Sequence, residues 1–190
     1  MRRGEPIPAE LRGADVQGPD GRSHLGALLR GLTLIVFLRH FGSPHCARQV
    51  DALVARLPEL AALRIGVVLV GSGPPSALAA FVRDMALARR GVVVVTDPSL
   101  AAFRAAGLQR PRVPRPRAAV EALRELAAGY APGRVVGDRR QLGGALLVDE
   151  QGHLVYHHRA RSPGDLVDPS DIVQAALTLL EERGATGRRA

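Results

Sequence analysis

A chain of 190 residues with 46% hydrophobic and 23% charged side chains carries enough apolar content to bury one core, and this composition excludes an intrinsically disordered protein. The net charge of +8 is built from arginine with no lysine, which excludes Schiff-base chemistry and the lysine of a phosphate-binding loop. An aromatic content of 3% leaves few stacking platforms, so nucleic acid is not expected as a partner despite the positive charge.

At the amino terminus MRRGEPIPAELRG has arginines but no following apolar h-region, and the longest apolar stretch, residues 32–38, is too short to span a bilayer. A cytoplasmic protein with no membrane segment is expected. Residues 1–13 read as an extension, 14–182 as one domain and 183–190 as a flexible tail. Gly18-Pro19-Asp20-Gly21 predicts a hairpin over 14–24, an amino-terminal decoration. The run TLIVFL at 33–38 reads as a central strand buried on both faces. Val50, Leu53, Val54 and Leu57 then recur at helical spacing within 44–57.

The alternation continues with a strand over 65–70, a GSGPP turn, and a helix over 76–88 capped by Ser76. A strand at 92–95 leads to a helix near 99–106, a proline-rich loop at 109–117, a helix over 118–128 and an irregular stretch to 144. Segments 145–148 and 153–157 flank a turn and read as a hairpin, followed by a helix over 171–180. Strands alternating with helices, ending in a hairpin and a helix, predict a three-layer α/β/α sandwich with a mixed sheet.

Chemistry converges on VFLRHFGSPHCARQV, residues 36–50, which holds the one cysteine. A lone cysteine makes no internal disulfide, so any thiol partner of Cys46 is another molecule. Ser43 suits the N-cap and Pro44 the first helical position, which puts Cys46 in the first helical turn. Amide N–H groups there, together with Arg39, Arg48 or His45, favour thiolate, so a lowered Cys46 pKa is expected. The same residues have plainer readings: Cys46 as a small buried hydrophobe, Ser43 as a cap only, His40 and His45 as packing or surface groups. His153 and His157 share a strand face by period two, yet with no second cysteine or carboxylate pair nearby no metal site is expected, and no cofactor either.

Arg39-His40-Phe41-Gly42, followed by Cys46, resembles the active-site loop of AhpC/TSA-type peroxiredoxin-like proteins, the branch of selenoprotein U relatives and prostamide/prostaglandin F synthase. In that branch the loop reads Arg-His-Phe-Gly-Cys-x-x-Cys; Cys46 matches the second cysteine and Ser43 stands at the first. Gly71-Ser72-Gly73, Asp97-Pro98, Gly137-Asp138, Gln141 to Gly144, Val148-Asp149, Gly152 and Tyr156-His157 follow the branch in order and spacing, so the resemblance spans roughly residues 15–180.

The resemblance implies a thioredoxin-like fold and an antioxidant, thiol-dependent peroxidase or oxidoreductase. Cys46, Ser43 and Arg39 would be catalytic, and His40, Phe41 and His45 would surround the substrate. A small thiol or thioredoxin-type protein would be the reductant, a hydroperoxide or endoperoxide the substrate, and a homodimer the assembly. The chain departs from peroxiredoxins where Arg39 replaces a proline and Gly143 replaces an arginine; Arg39, Arg139 or Arg140 is available as a substitute. Equally, loss of the first cysteine allows a redox-inactive binding protein or a non-redox tailoring enzyme on the same fold.

Overall fold

The structure, a computed structural model, describes residues 1–108, 110, 120, 123–124, 126–130, 136–138 and 140–187. Its centre is β3 (Thr33–Phe37), whose side chains are buried on both faces. β3 runs parallel to β4 (Gly66–Gly71), which runs parallel to β5 (Val92–Thr96). On its other side β3 pairs antiparallel with β6 (Gly144–Val148), and β6 with β7 (Leu154–Arg159). The hairpin of β1 (Asp15–Gly18) and β2 (Gly21–His24) completes a seven-stranded mixed sheet of order β2-β1-β5-β4-β3-β6-β7.

Helices α2 (Pro44–Ala62), α3 (Leu78–Asp84) and α5 (Pro169–Gly187) cover one face, where Val50, Leu53, Phe81 and Ile172 pack on Leu34, Val36, Val67 and Leu147. The short α1 (Ala9–Arg12) and α4 (Ala101–Ala105) cover the other, with Leu11 and Phe103 on Ile35, Phe37, Val68 and Leu146. The Phe37 and Phe103 rings meet edge to face at 5.0 Å. The predicted three layers and mixed sheet are therefore present, because β-branched runs buried on both faces need a helical layer above and below.

Several local differences have physical causes. The hairpin is no decoration: β1 pairs with β5 at Gln17↔Thr96, which covers main-chain groups that an edge strand would leave bare. Pro74 and Pro75 lead into a 3-10 turn, Pro75–Ala77, so α3 starts only at Leu78 and the Ser76 hydroxyl makes no cap bond. The last helix is longer than 171–180 because Asp168 accepts the Ser170 N–H at 2.8 Å and starts it at Pro169. It then crosses the expected tail boundary, where Arg183 binds Asp149 at 3.0 Å and Glu150 at 2.7 Å.

Within residues 1–13, Ile7 and Leu11 are buried and Leu154 N–H donates to the Glu5 carbonyl at 2.9 Å. The helix expected over 118–128, the loop at 109–117 and Arg139 lie largely or wholly outside the described residues. Among those described, no helix is long and apolar enough to cross a membrane.

Candidate active site

β3 delivers the chain to a turn at the carboxyl end of the parallel strands, where open α/β sheets bind ligands. Pro44 opens α2, and its first turn forms as the Cys46 and Ala47 N–H groups donate to the Ser43 carbonyl at 3.0 and 3.1 Å. Ser43 holds the N-cap position with extended backbone, but its side chain makes no cap bond. The hydroxyl instead accepts Arg39 Nη1 at 3.4 Å and hydrogen-bonds Cys46. Arg39 Nε donates to the Gln141 carbonyl at 3.2 Å, which fixes the guanidinium beside the cysteine.

Phe41 faces away from this point. A Cβ on Gly71 would lie 2.2 Å from the Phe41 ring and one on Gly73 2.6 Å from it, so the two glycines are the cradle in which the ring sits. The ring also packs on Phe81, centroids 4.6 Å apart. Between the glycines, the Ser72 hydroxyl donates to the Arg39 carbonyl and accepts the Asp138 N–H at 3.3 Å. The GSGPP segment, expected as a turn, thus holds the cysteine loop from behind.

The cleft beside Cys46 is lined by Arg39, His45 and Cys46 of the loop and first helical turn, by Gln49, by Gly143 and Gly144, and by His158, Pro163, Asp165 and Val167. Its volume is about 20 Å³, room for one water-sized molecule. Gly143 is glycine of necessity, since a Cβ there would come within 2.5 Å of the Phe37 carbonyl. No side chain can project from 143, and among the described residues the arginine that lines the cleft is Arg39 from the facing turn. Arg140 is exposed and not among the lining residues.

The structure brings three of the six expected site residues, Arg39, His45 and Cys46, to the cleft. His40 and Ser43 are buried behind it, and Phe41 is a packing anchor. The expected lowering of the Cys46 pKa does not hold. Burial at 3% exposure pushes the thiol above its ordinary value, while the His40 backbone, the Ser43 hydroxyl and the Arg39 charge pull against it. Desolvation disfavours the charged form and wins where water is excluded.

Gln49, His158 and Asp165 were not anticipated. Gln49 lies one helical turn after Cys46 on the same face, a spacing visible in the sequence. His158 faces the cleft because a β-bulge at Leu147/Val148 shifts the phase of β7, and its Nε2 meets Asp165 at 3.3 Å. The two histidines weighed as metal ligands are not together: His153 lies 3.7 Å from Asp149, while His157 Nε2 is 3.1 Å from the Ala106 carbonyl.

Comparison with known proteins supports the fold expected from the resemblance. Reduced Prx3 from Vibrio vulnificus superposes with a TM-score of 0.67 at 12% identity, covering 93% of this chain and 98% of its own. The peroxidoxin BcpB of Mycobacterium tuberculosis gives 0.66 at 13% identity, with 94% and 97% covered. PrxQ of Xylella fastidiosa, as a cysteine-to-serine mutant, gives 0.64 at 11% identity, with 96% and 98% covered. No curated protein sequence matches the chain. The family model described as AhpC/TSA antioxidant enzyme matches residues 52–162, beginning within α2 past the cysteine turn and taking in β4 to β7. With more than half the chain matched and a peroxiredoxin-type sandwich around the one cysteine, this protein belongs to the AhpC/TSA antioxidant enzyme family.

Proposed function

We propose that the protein is a thiol-dependent oxidoreductase that reduces a small peroxide through Cys46. The observation that carries this reading is the meeting of the Cys46 thiol and the Arg39 guanidinium at one cleft, with the buried Ser43 hydroxyl bonded to both. The thiolate attacks one peroxide oxygen; a sulfur–oxygen bond forms, the oxygen–oxygen bond breaks, and the departing oxyanion takes up the proton that the thiol lost. Arg39 stabilises the negative charge that develops on that oxygen. Cys46 is left as sulfenic acid. An external thiol then displaces water to give a mixed disulfide, and a second thiol returns Cys46 to its reduced form. A small thiol or a thioredoxin-type protein in the cytoplasm fits this step, and a homodimer is the assembly proposed from the family resemblance.

Burial of Cys46 favours a second reading, in which the thiol is a remnant and the fold serves binding or non-redox tailoring chemistry. Alkylation of Cys46 across pH, before and after an organic hydroperoxide, separates the two. The peroxidase reading expects a titration above that of a free thiol, alkylation blocked by peroxide, and recovery on adding a thiol. Peroxide that leaves alkylation unchanged defeats it, and then Cys46→Ser leaves the protein's activity or ligand binding intact.

A further inference from the structure

One wall of the cleft beside Cys46 comes from the link between β7 and α5, residues 160–168, with Pro163, Asp165 and Val167 among its lining. The Gln49 side chain ties this link to α2. Gln49 Nε2 donates to the Val167 carbonyl at 3.0 Å, and the Val167 N–H donates to Gln49 Oε1 at 2.8 Å. Both residues are buried, at 5% and 4% exposure, so the amide replaces the pairing that a neighbouring strand would give. Gln49 lies one helical turn from Cys46 and lines the same cleft, so the clamp sits beside the cysteine.

Elsewhere Asp165 accepts the Arg161 N–H at 2.7 Å within the link and contacts His158 of β7 at 3.3 Å. Opening the Gln49–Val167 pair releases Val167, which lines the cleft, from α2, and with the pair formed the cavity holds about 20 Å³. A molecule of hydrogen peroxide is close to water in size, whereas an aryl hydroperoxide needs several times that space.

We propose that Gln49 is a specificity-determining residue, which by clamping Val167 restricts Cys46 to reactants about the size of hydrogen peroxide. As a statement about substrate it rests on the reading of Cys46 as the reacting thiol. As a statement about access it does not. The clamp is a two-state element, and its opening equilibrium sets the rate at which bulky reagents reach the sulfur.

The test measures Cys46 modification by iodomethane, which has two heavy atoms, and by N-phenylmaleimide in the wild type, Gln49→Ala and Gln49→Glu, and takes the ratio of bulky to small rates at each pH. The ratio cancels the thiolate fraction, and the charged or titratable groups facing the cleft, Arg39, His45, His158 and Asp165, are the same in all three proteins. Gln49→Ala is expected to raise the ratio about tenfold, as loss of a closed state favoured by that factor would do. Gln49→Glu gives a reversible version in one protein. The protonated acid can donate and accept as the amide does, while the ionised form loses the donor. Its ratio should match the wild type near pH 5 and rise towards that of Gln49→Ala by about pH 9.

A Gln49→Glu ratio that stays at the wild-type value across this range overturns the proposal, and it does so even if Gln49→Ala fails to fold. A ratio that responds as expected in proteins that consume no peroxide leaves the clamp standing and removes the peroxidase reading. A peroxide-consuming protein with unresponsive ratios does the reverse.

Discussion

Cys46 is held in an environment that contains opposite instructions. The Arg39 charge, the Ser43 hydroxyl and the His40 backbone favour thiolate, while burial favours thiol and prevails. Removing the charge with Arg39→Met should push the thiol higher still. The alkylation profile should move to higher pH and the neutral-pH rate should fall about three- to tenfold. Because the folded state holds the Cys46 proton more tightly than the unfolded chain, its contribution to stability is complete below the unfolded value of about 8.5 and is lost as pH rises through the folded value. Urea unfolding from neutral to alkaline pH should show that decline in the wild type and less of it in Cys46→Ala. His157 works in the other direction. Burial first, and then the neighbouring Arg159 charge, lower its pKa. Its contribution is present above the unfolded value of about 6.5 and lost as pH falls through the folded one, so His157→Gln should soften the acid limb. The helical start at Ser43 and Pro44 is legible in the sequence because first-turn geometry is local. The direction of the Cys46 shift is not, because the residues that exclude water, from Pro163 to Val167, come from the far end of the chain.

The Gly71-Ser72-Gly73 turn at the end of β4 ties two neighbouring strand ends together, with Phe41 from the β3–α2 loop seated between its glycines. Gly71→Ala would drive a methyl into the ring at 2.2 Å, and Phe41 could yield only by leaving Phe81. A loss of about 1–3 kcal/mol is expected, read as a lower melting temperature. Because the loop also carries Arg39, whose charge favours the thiolate, slower Cys46 alkylation at neutral pH should accompany it. Element types were readable wherever burial on both faces leaves continuous apolar runs, as in β3, β4 and β6. Two features were not. The true start of α3 depends on how the prolines before it are seated. The faces of β7 depend on a bulge that period-two counting does not contain: it sends His157 towards α4 and His158 to the cleft.

The sandwich also draws in the segment before the hairpin. Ile7 and Leu11 fill the layer under β6, and Pro6 bridges to His153. Removing residues 2–13 should cost about 3–6 kcal/mol, the transfer of two large aliphatic side chains, and thermal unfolding of the shortened protein would show it. At the opposite margin the sheet ends in β2, a four-residue, largely exposed strand bearing Arg22 and leaving its turn through Gly21 at φ +115°. The other margin, β7, is bent by its bulge and carries His157, His158 and Arg159. An open sheet invites further strands from other molecules wherever a flat apolar edge is on offer, and neither margin offers one. The hairpin that closes the strand order of this protein is thus also its guard against cross-β growth at that edge.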